Sequence, residues 1–89
     1  MTDVIDNTAA QRFELHVDGG TAIAAYAREG DRIVFTHTEV PQALEGQGVA
    51  SRLIAGALAQ VREAGLKVVP ACAFVAAYLR RHPDAADLA

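Results

Sequence analysis

Three stretches hold most of the side chains in this sequence that could do chemistry: HTEV at 37–40, EGQGVAS at 45–51 and the lone cysteine of VVPACAF. Cys72 stands just ahead of a run that reads as a helix, and a thiol at a helix N-terminus acquires a lowered pKa and becomes a usable nucleophile. Its neighbours Ala71, Ala73 and Phe74 suit the other common use of a free cysteine, as a small buried hydrophobe. His37 alternates with Ile33 and Phe35, which predicts one shared strand face. An imidazole there, whose unperturbed pKa lies near neutrality, suits a general base, with Glu39 two residues further on that face to assist. A half-buried, hydrogen-bonded histidine is the structural alternative. His16 and His82 fall at surface positions and receive no role.

The glycine segment poses a separate question. Gly46 and Gly48, with Gln47, Val49, Ala50 and Ser51, lie between a strand and a strongly helical run. Free N–H groups and the positive end of a helix dipole meet at such a place, where an anion can dock. The segment has no Gly-Lys-Ser/Thr ending, which excludes a Walker A loop. Ser51 stands where a dinucleotide fingerprint needs its third glycine, and the next strand ends in Val69-Pro70 without an acid. Loop composition alone leaves an anion site and a plain connection both open.

The elements that position these residues follow from periodicity. Residues 1–10 read as a flexible leader. RFELHV, TAIAAYARE and RIVFTHTEV read as three strands joined by turns at Asp18-Gly19-Gly20 and Glu29-Gly30-Asp31, an antiparallel meander. Pro41 ends the third strand. Ala50, Leu53, Ile54, Ala57, Leu58 and Val61 recur at helical spacing, and Gly65 is placed to terminate that helix. LKVV is a short apolar strand. AFVAAYLRRH is a second helix with basic residues in its last turn and Pro83 as its stop. The expected order is β-β-β-α-β-α, an α/β fold with a mixed sheet, antiparallel first and parallel in its final pair.

Bulk properties narrow the function. With 89 residues, 52% of them hydrophobic and 21% charged, the chain has the composition of one folded domain over residues 11–89. A net charge of −3 without a basic run argues against nucleic acid as a partner. No apolar stretch approaches a membrane span, and the first residues lack the pattern of a signal peptide, so a cytoplasmic location is expected. One cysteine allows no internal disulfide, and no Cys/His cluster has metal-ligand spacing.

A meander, then Gly46-Gln47-Gly48-Val49-Ala50, a helix, a strand and a tyrosine-bearing helix resembles the Gcn5-related N-acetyltransferase (GNAT) superfamily. Its motif there is Gln/Arg-Xaa-Xaa-Gly-Xaa-Gly/Ala; Gly48 and Ala50 match it, and Glu45 departs from it at the Gln/Arg position, with Gln47 and Arg52 nearby as donors. HTEVPQALEGQGVASRLI and GLKVVPACAFVAAYLRRHP are similar to the small stand-alone subfamily, which lacks the N-terminal portion that usually builds the acceptor site. The resemblance implies a reduced GNAT-like fold whose last two strands splay. It implies acetyl-CoA as co-substrate, with its pantetheine arm along Thr38, Glu39 and Val40 and its pyrophosphate at Gly46, Gln47, Gly48, Val49, Ala50 and Ser51. It also implies Tyr78 as proton donor to the departing CoA thiolate and Cys72 as a possible acetyl acceptor. A phenol suits the first task because its pKa lies near that of a thiol; an amphipathic core aromatic pairing with Phe74 is the other use of Tyr78. The expected function is acetyl transfer to an unidentified amine, without a metal, by a monomer or weak homodimer. The alternative is a non-catalytic CoA-binding or protein-interaction module of the same fold.

Overall fold

Alternation at period two puts Phe13 and Leu15, then Ala22, Ala24 and Tyr26, then Ile33 and Phe35 on one side of a sheet, and all seven are buried there. The computed structural model describes residues 3–85 and 88. Its elements are β1 (Ile5–Asn7), β2 (Arg12–Val17), β3 (Gly20–Glu29), β4 (Arg32–Glu39), a 3-10 turn (Gln42–Leu44), α1 (Val49–Glu63), β5 (Lys67–Pro70) and α2 (Ala73–Arg81). The five strands lie in the order β1-β2-β3-β4-β5, antiparallel up to β4 and parallel between β4 and β5. This is the expected α/β architecture with one strand added.

That added strand corrects the reading of residues 1–10 as a flexible leader. Ile5, Asp6 and Asn7 pair with Glu14, Phe13 and Arg12, and Val4 is buried in the core. The Tyr26 hydroxyl donates to Asp6 Oδ1 at 2.6 Å, tying β1 to β3. Burial first, and then this bond to a carboxylate, push the phenol up to about 12. A three-residue strand is too short for alternation to reveal it; its partners lie elsewhere in the chain. Met1 and Thr2 lie outside the described residues.

Both helices cover the apolar face. Val49, Leu53, Ile54, Ala57, Leu58 and Val61 of α1 join Val75 and Leu79 of α2 and the strand residues in one core cluster. Helix α1 ends in a Schellman arrangement: Leu66 N–H reaches Val61 O at 3.1 Å, Gly65 N–H reaches Arg62 O at 3.1 Å, and Gly65 takes φ +72°. No helix among the described residues is long and apolar enough to cross a membrane.

The opposite sheet face carries polar side chains, and its centre is Glu14. Arg12 Nε donates to Glu14 Oε2 at 2.7 Å, Asn7 Nδ2 to the same oxygen at 3.0 Å, and His16 Nε2 lies 3.1 Å from Oε1. Neighbouring polar side chains cover this carboxylate and leave the residue only 7% exposed. Arg12 first, then Asn7, hold it down to about 2 from an ordinary 4.5, against a smaller opposing effect of desolvation. A folded carboxyl that titrates below its unfolded value adds stability that is complete above about pH 4.5 and is lost as the pH falls toward 2. In thermal unfolding, Glu14→Gln is expected to lie below the native protein at neutral pH and to converge with it as the pH falls through that window. Parallel curves down to pH 2 would show that ionised Glu14 does not hold the β1–β2 edge.

Candidate functional site: a cleft between the splayed strands and the start of helix α1

Parallel pairing of β4 with β5 ends at Phe35 and Pro70. One further backbone bond, from Cys72 N–H to Phe35 O at 2.7 Å, seals that point. Beyond it β5 turns into α2, while β4 runs on to Glu39 with only β3 beside it. The edge of β4 from Thr36 onward therefore faces a wedge in place of a strand.

The same place holds a bulge. Ala25 pairs with His37 but Tyr26 pairs with Phe35, so Thr36 is the extra residue, and its hydroxyl donates to Ala25 O at 3.3 Å. One extra residue reverses the alternation of everything that follows. This corrects the expectation that His37 shares the face of Ile33 and Phe35. His37 and Glu39 lie on the polar outer face, their side chains 62% and 64% exposed and 3.4 Å apart at Nε2 and Oε2. Thr38 is turned inward instead, opposite the fully buried Ala24, and its Oγ1 lies 3.2 Å from Cys72 Sγ.

The glycine loop closes the other end of the wedge. Gly46 and Gly48 take φ of +81° and +75°, and Gly48 is the N-cap of α1 in the left-handed conformation. For L-residues other than glycine that conformation costs about 1–2 kcal/mol, so the backbone path itself requires these glycines. A Cβ at either position would meet open space; the surface above the loop is free for a ligand. The first bond within α1 runs from Arg52 N–H to Gly48 O at 3.1 Å. The amides of Val49, Ala50 and Ser51 precede it, no side chain caps them, and no acidic residue sits in that first turn. The positive end of the helix dipole is thus left uncompensated.

These parts enclose a cleft of about 390 Å³. Of the residues expected at a cofactor, Thr38, Val40, Gly46, Gly48, Val49, Ala50 and Ser51 line it. Two do not: Glu39 faces a separate cleft on the outer sheet face, and Gln47 turns its amide to Ala43 O at 3.3 Å. Arg52 is likewise engaged elsewhere, with Asp3 Oδ2 at 3.3 Å. Glu45 stands in the cleft wall. Periodicity missed Leu44 and Phe74, which supply apolar wall; Leu44 belongs to a 3-10 turn without periodic signal, and Phe74 reads equally well as core.

Cys72 is the N-cap of α2 and is 9% exposed. Desolvation is the largest single influence on its thiol and raises the pKa, but several hydrogen-bonding groups acting together outweigh it and bring the thiol below its ordinary value. Thr38 is the strongest of these, followed by the backbone amides of Val75 and Phe74. The amides of Val75 and Phe74 act as dipoles near the sulfur and do not form full capping bonds. Tyr78 lies further along α2, stacked on His82 with ring centroids 3.9 Å apart, and lines a different cleft with Ala55, Leu58 and Ala85. Burial first, then Asp84, raise its phenol. None of the three expected catalytic residues, Cys72, Tyr78 and His37, lines the cleft that takes in Thr38; Cys72 alone touches its wall, through Thr38. Among the described residues no group of three or more His, Cys, Asp or Glu side chains is arranged to hold a metal.

Both the sequence and the fold have counterparts among known proteins. The model of the family described as GCN5-related N-acetyl-transferase matches residues 12–88. Protein NATD1 of Mus musculus is 36% identical over 76 residues, covering 82% of this chain and 69% of that protein. Protein NATD1 of Homo sapiens is also 36% identical over 76 residues, covering 82% and 67%. Among solved structures, a GCN5-like protein from Staphylococcus aureus determined by NMR superposes with a TM-score of 0.73 at 25% identity, over 99% of this chain and 89% of that one.

Proposed function

Because this chain belongs to the family of GCN5-related N-acetyltransferases, we propose that the cleft between β4, the glycine loop and α2 binds acetyl-CoA and that the protein transfers the acetyl group to an amine. One observation carries the reading: an uncapped helix N-terminus and the unpaired end of β4 meet in one cleft, and the Cys72 thiol lies 3.2 Å from Thr38 of its wall.

The residues present fit the co-substrate. Amides at Val49–Ser51 meet the requirement of a pyrophosphate for donors and positive potential. Beyond Phe35 the end of β4 and Val40 after it have no strand on the α2 side, and their backbone N–H and C=O groups can meet the amides of a pantetheine arm. Leu44, Val49 and Phe74 supply apolar wall for the acetyl end of the arm. Acetyl-CoA supplies an activated thioester carbonyl. Cys72, in reach of Thr38 on the cleft wall, is the candidate nucleophile that accepts the acetyl group before an amine removes it. His37, beside Glu39, lies on the outer face of the sheet away from this cleft, and it takes no part in the proposed transfer.

The burial of Cys72 favours a second reading, a module that binds CoA without turnover. Both readings require binding. Titration of isotope-labelled protein with acetyl-CoA is expected to shift the backbone amides of Gly46–Ser51 and Thr38–Val40 in a saturable way. Silence there at millimolar ligand would remove both readings and leave a fold kept for protein interaction.

A further inference from the structure

We propose that Thr38 is a catalytic residue, a hydroxyl relay that carries the proton of Cys72 to the sulfur of the leaving CoA. The inference rests on the reading of Cys72 as acetyl acceptor. It starts from the register of the sheet: the bulge at Thr36 turns Thr38 from the outer face to the inner one. The result is a hydroxyl that belongs to the wall of the cleft and stands 3.2 Å from the Cys72 sulfur. A hydroxyl is donor and acceptor at once, so Thr38 can face the thiol with one role and the cleft with the other. Without the bulge, the inward position would fall to His37.

The transfer between two thiols leaves a proton to move. As the Cys72 sulfur attacks the thioester carbonyl carbon, a new C–S bond forms at Cys72 and the C–S bond to CoA breaks. The Cys72 proton passes to Thr38 Oγ1, and the Thr38 proton passes to the departing CoA sulfur. The products are S-acetyl-Cys72 and CoA thiol, with Thr38 restored. One thioester replaces another, and the step needs no oxidant, metal or outside base. Tyr78, which faces a different cleft and stacks on His82, is thereby relieved of the proton-donor role. Few titratable groups compete at the thiol. Glu45 shares the cleft wall with Thr38, while His37 and Glu39 lie on the far face of β4, and Tyr78 and His82 lie along α2 away from this cleft.

The test compares Thr38→Val, which keeps the shape and removes the hydroxyl, with Thr38→Ser, which restores the hydroxyl without the methyl. Two readouts are followed: single-turnover acetylation of Cys72 from acetyl-CoA, by intact mass, and the pH profile of alkylation by iodoacetamide without acetyl-CoA. Thr38→Val is expected to slow acetylation about a hundredfold, the scale of one positioned proton donor, and to move the alkylation midpoint to higher pH; Thr38→Ser is expected to stay near the native protein in both. Equal acetylation rates in native protein and Thr38→Val would overturn the relay while leaving Cys72 as acceptor. Native protein that binds acetyl-CoA but never becomes acetylated at Cys72 would overturn the acceptor reading and the relay with it. If valine disturbs the packing, seen as a changed amide spectrum, Thr38→Ala with the same serine control makes the same distinction.

Discussion

Phe35→Ala is expected to cost about 3–5 kcal/mol of folding stability, the range for deleting a buried aromatic side chain. Phe35 is fully buried, and its ring stacks on Phe13 with centroids 5.9 Å apart; Phe13 in turn packs on Tyr26 at 5.3 Å. Phe35 is also the last β4 residue paired to β5, and its carbonyl accepts the bond from Cys72 N–H. The loss therefore falls on the core and on the hinge of the wedge together. Domains of this size have stabilities near the lower end of about 5–15 kcal/mol, so most of the margin would go. Urea unfolding checks this: the midpoint should fall sharply with an unchanged slope. A drop under about 1 kcal/mol, typical of a peripheral site, would mean that the three rings do not form the centre of the core.

Cys72→Ala is expected to abolish incorporation of acetyl into the protein while leaving acetyl-CoA binding within about twofold, since the helix dipole and backbone donors of the cleft are untouched. The chain has a single cysteine, so no second thiol can take its place. Intact mass after incubation with acetyl-CoA reads the first effect, and the amide titration reads the second. Turnover of an amine substrate should fall to background if the acetyl group passes through Cys72. Undiminished turnover would instead mean direct attack of the amine on acetyl-CoA, with Cys72 as core. Loss of binding together with acetylation would give the thiol a purely structural part, as a buried side chain packed beside Thr38.

Local signals made much of this protein legible. Helix α1 repeats its apolar residues for four turns, long enough for the period to stand above noise, and Gly65 marks its end where the Schellman bonds form. The glycine loop was legible for a different reason: φ values of +81° and +75° leave glycine as the residue that fits without strain. The meander was equally plain, because its turns are short and its strands alternate cleanly.

The site itself was only half legible. Cys72 at a helix start and the loop ahead of α1 could be located, because each depends on residues adjacent in the chain. The partner of the thiol could not. Thr38 lies 34 positions away, and alternation assigned the inward position to His37. A bulge comes from how β4 fits against β3, not from any pattern within RIVFTHTEV, and Thr36 has no local mark that sets it apart as the extra residue. Strand β1 was hidden for a related reason, since three residues acquire their role only from the edge they join.

By itself, then, the sequence determined the element order from β2 onward, the sheet's covered face, the glycine loop at the head of α1 and the thiol at the head of α2. Each rests on propensity, period or φ, which act over a few neighbouring residues. Tertiary structure alone decided that the first residues extend the sheet, that His37 faces outward and that Thr38, on the cleft wall, meets Cys72. Those depend on register between strands, and register is settled by the packing of segments far apart in the chain.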